Sequence, residues 1–287
     1  MSSWISGQHK VLAAVGDDLR VIGAFGSAHD PLFTDVEVSE LHLGGYQLAG
    51  VALGAAELGE RVLLDLPNPA LIDGAMRRLR EDLPALSARS LKLTLRAWTG
   101  ADAGGGPVLG AAIIDRIPDV PGMALVLPSD AESASGLLRA ALTATQPVLL
   151  VDSLRQRVSP GVASTAATSE LAFNPIGTAH RVRAGSALTI LCWGSAVVEV
   201  LDSVALAEVD AEVLDLRTLF PLDIDAIGAA IRRTGRFVVA ADGVARAERI
   251  LASAVAQGFW RLEAPPRVIE PRGAALMDAL KNAVEDR

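Results

Sequence analysis

The chain has 287 residues, of which 51% are hydrophobic, and carries a formal net charge of −8 with a sequence pI near 5.1. That is enough chain to bury a sizeable core, and the acidic balance without a long Lys/Arg run excludes electrostatic nucleic-acid binding. A single cysteine, Cys192, excludes an intrachain disulfide, and no uncharged apolar stretch reaches the ~18 residues of a membrane span.

The N-terminal MSSWISGQHK lacks a basic flank followed by an apolar core, so a cytoplasmic chain without a signal peptide is expected. Short β-branched runs then alternate with segments of helical periodicity, the pattern of parallel sheets covered by helices, and the fold class reads as α/β. His9 falls on the first helix as a surface residue. A strand over RVIGAF (20–25) is followed by GSAHDP, which places His29 where the strand ends of a parallel sheet face a crevice; the alternative is an ordinary loop histidine. Next, VSE ends in Glu40, two residues before His42, and an apolar, glycine-dotted helix is expected over 41–57. Glu40 is either a functional carboxylate or a helix-start carboxylate favoured by the macrodipole, with His42 on the helix entry.

Further strands are expected at RVLLDL (61–66), LKLTLRAW (91–98), MALVLP (123–128) and PVLLVD (147–152). TGADAGGGP (99–107) can present backbone N–H groups to an anion, although its composition is that of a loop. The helix over 129–144 opens with Ser129 and Glu132 as a capping box. The stretch around 155–177, rich in Ser, Ala, Thr, Pro and Gly, reads as a linker. Beyond it the alternation is cleaner: a strand at 187–194, a helix from Ala196 to about Leu206, a strand at 211–217, a helix over Asp223–Arg233, a strand at 236–242, a helix over 245–260, the strand PRVIE and a closing helix. His180 is expected at the surface before an exposed strand, and Trp98, Trp193 and Trp260 as packing residues. There is no dinucleotide fingerprint or P-loop, and His, Cys and carboxylates do not fall at metal-ligand spacing.

Three stretches, AGVALGAAELGERVLLD, VPGMALVLPSDAESASGLLRAALTATQPVLLVD and AEVLDLRTLFPLDIDAIGAAIRRTGRFVVAAD, together resemble the beta subunit of the thiamine diphosphate-dependent 2-oxo acid dehydrogenases, a branch of the transketolase-like superfamily. The resemblance implies a pyrimidine-binding domain over 1–155, a linker over 156–175 and a transketolase C-terminal-like domain over 176–287, each a mostly parallel sheet flanked by helices. It further implies decarboxylation of a 2-oxo acid or transfer of a ketol unit. In that family a glutamate in ISE hydrogen-bonds a ring nitrogen of the cofactor's aminopyrimidine and activates it; VSE places Glu40 in this cofactor-binding and catalytic role. The family holds the diphosphate and its magnesium in a domain marked by Gly-Asp-Gly and downstream asparagines. This sequence has no such motif, so the cofactor is expected to be shared with an alpha-type subunit that carries the metal.

The sequence also departs from the family pattern. Anchoring on GVALGAAELG puts the family glutamate at Gly45, so Glu40 requires about five inserted residues, or roughly one and a third helical turns. Leu109 stands where the family histidine falls, no Phe or further Tyr or Trp occurs between Tyr46 and Trp98 to stack on the pyrimidine, and RVIGAFG replaces an acidic pair. Two functional readings remain open: a diverged but working subunit that joins an alpha-type partner, with or without self-dimerisation, and acts on a 2-oxo acid or ketose; or an inert scaffold or regulatory subunit of the same fold.

Overall fold

Strands buried on both faces need apolar side chains at every position, and such continuous runs pair in parallel beneath helices. The run at 61–66 and the run at 148–153 have this character, and both become central strands. A computed structural model describes residues 2–86, 89–99, 113–153, 173–271, 276–278 and 280–282. The chain divides into Met1–Ile176 and Gly177–Arg287. Most of the stretch read as a linker, and both the glycine loop at 100–107 and Leu109, lie outside the described residues.

The first unit runs α1 (Ser3–Val15), β1 (Leu19–Gly23), β2 (Val38–Glu40), α2 (Gly45–Glu57), β3 (Arg61–Leu66), α3 (Ala70–Leu86), β4 (Leu93–Thr99), β5 (Ala124–Val126), α4 (Ala131–Thr143) and β6 (Val148–Ser153). Its strands lie in the order β5-β6-β4-β3-β1-β2, with every pair parallel. The register decides what shares the carboxyl edge. Gly23 stands opposite both Glu40 and Asp65, Asp65 opposite Arg96, and Trp98 opposite Asp152. Leu63, Val126, Leu137, Leu138, Val148 and Leu150 belong to a fully apolar core cluster.

Two boundaries differ from the sequence expectation. Helix α2 begins at Gly45, not at residue 41, and the residue before it, Gly44, is extended (φ −72°, ψ 161°). The start falls where the helix meets α3: a Cβ on Gly45 would lie 1.8 Å from the Leu71 carbonyl oxygen, so only glycine permits the approach. Helix α4 is capped by Asp130 and Ser133 rather than by Ser129 and Glu132. Asp130 is the residue with extended backbone; its carboxylate accepts the Ser133 N–H at 2.6 Å, and Ser133 Oγ accepts the Asp130 N–H at 2.9 Å.

The second unit contains β7 (His180–Arg183), β8 (Leu188–Cys192), α5 (Ala196–Ala207), β9 (Ala211–Asp215), β10 (Thr218–Phe220), α6 (Ile224–Thr234), β11 (Phe237–Ala240), α7 (Val244–Gly258) and β12 (Arg267–Ile269). The order β12-β11-β8-β9-β7 is parallel except for the antiparallel edge strand β7, which contains His180. Residues 276–278 and 280–282 are helical, at the place of the expected closing helix. Asp223 caps α6 through the Ala226 N–H, and Gly235 ends it in the left-handed region at φ 68°. Trp98 and Trp193 are buried as expected. Trp260 is not: a 3-10 turn after α7 leaves it 92% exposed, edge to face with Phe259 at 5.2 Å.

Candidate functional site

Glu40 is the last residue of β2, five residues before Gly45, the first residue of α2. The helix-start reading is therefore wrong: the macrodipole of α2 does not reach it within its first turn. What holds the carboxylate is the turn that follows β1. Glu40 Oε2 accepts the backbone N–H of Ala28 at 3.1 Å and of Gly26 at 3.2 Å. Oε1 lies 3.7 Å from His42 Nε2. The Ala28 N–H, then the Gly26 N–H, the charge of His29 and a bond with His42 hold the Glu40 carboxyl below the usual carboxylate range, against an opposing contribution from partial desolvation. It is a carboxylate with one oxygen saturated by two donors.

Two of the histidines named in the sequence, His29 and His42, fall here. His29 is exposed on the short 3-10 turn Ser27–His29, and it acts on Glu40 through its charge. His42 lies between β2 and α2, not on a helix, with its ring edge to face with Phe25 at 5.2 Å. Phe25 is 74% exposed beside this carboxylate, an aromatic that a search after Tyr46 does not find. His9 is half-buried, bonding the Leu32 carbonyl through Nδ1 at 3.1 Å, and is thus less a surface residue than its helix position suggested.

Beneath the turn sits a buried ionic cluster. The Arg96 guanidinium, with no exposed surface, donates from Nη1 to Asp65 Oδ1 at 2.9 Å and to Asp30 Oδ2 at 3.1 Å, and from Nε to Asp152 Oδ2 at 2.9 Å. It stacks on Trp98 at 3.9 Å from the ring centroid. Gln8 Nε2 donates to both oxygens of Asp152, and Ser27 Oγ donates to Asp65 Oδ2 at 2.7 Å. Burial pushes the Asp65 carboxyl up, and Arg96 offsets only part of the effect. For Arg96 the balance is the reverse: burial disfavours the cation, but Asp65, Asp152 and Asp30 outweigh it and hold the group above its ordinary value. Sequence reading missed this cluster, although Asp65, Arg96 and Asp152 each stand as a charge inside a largely apolar strand.

Among the described residues, no group of three His, Cys, Asp or Glu side chains is arranged to hold a metal ion, and no helix is long and apolar enough to cross a membrane.

Two α/β units, with a carboxylate held at the carboxyl edge of the first sheet, define a transketolase-like chain. Residues 177–282 match the family model of the transketolase C-terminal domain. By fold, the chain is similar to a split gene transketolase solved as an inactive beta4 tetramer, with a TM-score of 0.74 at 18% identity over 98% of this chain and 97% of that one. It is 30% identical over 267 residues to the pyruvate dehydrogenase E1 component subunit beta of Bacillus subtilis, covering 87% of this chain and 80% of that protein. It is also 33% identical over 153 residues to the same subunit from Acholeplasma laidlawii, covering 51% of this chain and 46% of that one. A 27% match to the mitochondrial 2-oxoisovalerate dehydrogenase subunit beta of Dictyostelium discoideum covers 76% of this chain and 62% of the relative. The matched region thus spans less than two thirds of the Acholeplasma and Dictyostelium proteins. The chain belongs to the beta-subunit family of the 2-oxo acid dehydrogenases.

Proposed function

We propose that this chain is a diverged beta-type subunit that completes a thiamine diphosphate site with an alpha-type partner, in a cytoplasmic enzyme acting on a 2-oxo acid or a ketose. The observation that carries the reading is Glu40, which ends β2 on the same sheet edge as Asp65 and Arg96. Thiamine diphosphate, with magnesium, supplies the electron sink for cleaving the bond next to a carbonyl. The donor set of this chain fits one part of that group. Glu40 Oε2 is occupied by two N–H donors, while Oε1, beside His42, is the oxygen left to accept a further donor such as a protonated ring nitrogen. The donors that hold Glu40 as a carboxylate also make it an acceptor over a wide pH range. Phe25, exposed beside it, offers an aromatic edge or face to a planar ligand. His29 contributes positive charge when protonated. The diphosphate and its metal are assigned to the partner, because this sequence contains no Gly-Asp-Gly motif with downstream asparagines. The domain roles follow the same reading: residues 1–155 face the pyrimidine, 156–175 link, and 176–287 form the C-terminal domain.

The test is reconstitution with an alpha-type chain that carries that motif, followed by 2-oxo acid-dependent reduction of an artificial electron acceptor. Glu40→Gln keeps the shape but not the charge that holds a protonated ring nitrogen, so activity should fall on the order of a hundredfold or more, the scale of losing a proton-transfer partner. Wild-type turnover in Glu40→Gln removes Glu40 from the mechanism and leaves the inert-scaffold reading of this chain.

A further inference from the structure

Glu40 does not position itself. Its two donors, the N–H groups of Gly26 and Ala28, belong to a turn whose backbone bonds beyond Ala24 are local: Ser27 N–H to Ala24 at 3.0 Å, His29 N–H to Gly26 at 3.2 Å and Asp30 N–H to Ser27 at 3.0 Å. Local bonds give the turn its shape; the Ala24 N–H ties its start to the Asp65 carbonyl at 3.3 Å, and two side chains place the rest. Ser27 Oγ is tied to Asp65 and the Asp30 carboxylate to Arg96, and both ties end on the same Arg96 nitrogen, Nη1. The seat beneath Ser27 exists because residue 23 is glycine: a Cβ there would stand 2.3 Å from the Ser27 Cβ. The guanidinium in turn has no freedom of its own, being pinned by Asp152 at Nε and flat against Trp98.

We propose that Arg96 is a positioning residue for Glu40: through Asp65 and Asp30 it fixes the turn at 24–30, whose two N–H groups aim the carboxylate. This rests on the reading of Glu40 as the cofactor-facing carboxylate. An apolar side chain at position 96 would pack the sheet without the desolvation cost of a buried charge. What it cannot supply is a rigid, planar donor whose Nη1 bonds Asp65 and Asp30 together while its Nε is held by Asp152. The register adds a second reason: Arg96 pairs with Asp65, Asp65 with Gly23 and Gly23 with Glu40, one row across four neighbouring strands. The guanidinium therefore sets the turn in the same frame that sets the β2 end.

The test uses the full-length chain, isotope-labelled, with two readouts that need neither partner nor cofactor. One is the side-chain carboxyl titration of Glu40, assigned by its disappearance in Glu40→Gln. The other is hydrogen exchange at the Gly26 and Ala28 amides. In Arg96→Lys a flexible ammonium replaces the planar guanidinium held by Asp152, and in Ser27→Ala one anchor is lost. In each, the Glu40 midpoint should rise toward the ordinary carboxylate range and the two amides should exchange about tenfold faster or more, while β3 and β6 amides keep their protection. Asp65→Asn is the conservative control: its amide oxygen still accepts from Arg96 and its NH2 group donates to Ser27 Oγ, so both readouts should match the wild type. A merely structural Arg96 would lower stability in both variants without moving the Glu40 midpoint. Should Arg96→Lys fail to fold, Ser27→Ala decides. A folded Ser27→Ala with a wild-type midpoint and wild-type exchange at both amides overturns the proposal. The role of Glu40 itself fails separately: full turnover of Glu40→Gln in the reconstituted complex would refute that role whatever the titration shows.

Discussion

Replacing Arg96 by methionine removes the guanidinium that pairs with three carboxylates while roughly keeping its volume against Trp98. Asp65 and Asp152 have no exposed side-chain surface and Asp30 only 10%, so the variant strands at least two charges away from water. Deleting one partner of a buried ion pair costs about 3–5 kcal/mol, against a whole-domain stability of about 5–15 kcal/mol. Lost stacking on Trp98 adds about 0.5–2 kcal/mol. At roughly 2–4 °C per kcal/mol for a unit of this size, the first figure alone lowers the melting temperature by about 6–20 °C. The pH dependence has a definite sign. Burial holds the Asp65 pKa above its ordinary value even with Arg96 present, so its contribution to folding is fully present below the unfolded pKa and is lost as pH rises through the folded one. Without Arg96 the folded pKa climbs further. The stability gap between wild type and Arg96→Met should therefore narrow on going from about pH 8 to about pH 5, as Asp65 takes up a proton. Urea denaturation across that range measures it. A loss below about 1 kcal/mol at neutral pH, or a gap that widens on acidification, would refute the ionised-cluster argument.

Gly45→Ala forces a Cβ to within 1.8 Å of the Leu71 carbonyl oxygen, so α2 must lift from α3; denaturation should show a loss of about 1–3 kcal/mol or more, and a stable variant would mean that the close approach is not needed. Asp130→Ala should cost about 0.5–2 kcal/mol by the same measurement, because the α4 cap goes with it, whereas Glu132→Ala should cost clearly less; the reverse order would restore the cap position expected from the sequence.

The central strands were legible because burial on both faces demands apolar runs of strand length, and those runs stand out in RVLLDL and PVLLVD. The edges were not. β2 has three residues with both its apolar and its acidic member half-buried, and β7 is an antiparallel edge strand with two exposed residues, so neither shows a periodicity to read. The entry to α2 misled for another reason: Leu41 and Leu43 extend the apolar pattern backwards, while the residue that stops the helix, Gly44, offers no side-chain cap. The ionic cluster did leave a trace. Asp and Arg are almost never fully buried unless paired, so Asp65, Arg96 and Asp152, charges inside three largely apolar strands, had to find one another once β3, β4 and β6 were neighbours. What no sequence pattern carried was the turn above them, since Gly26 and Ala28 contribute only backbone N–H groups.

That turn also separates the placing of Glu40 from the spacing between VSE and the glycine-rich helix. If Glu40 belonged to the first turn of α2, about five extra residues, roughly one and a third turns, would swing its side chain to a different face of the helix. Glu40 instead pairs with Gly23 in the sheet, and the Leu41 N–H still reaches the Gly23 carbonyl at 2.9 Å, so the strand frame persists one residue beyond it. At the other end, α2 is placed by Gly45 against Leu71. The extra length therefore lies between two independently fixed ends and does not pass from one to the other. Carboxylate position follows from sheet register and from the N–H groups of Gly26 and Ala28, neither of which depends on helix phase. The length of chain before this helix can thus vary without moving Glu40 from the sheet edge that β1 and β2 set.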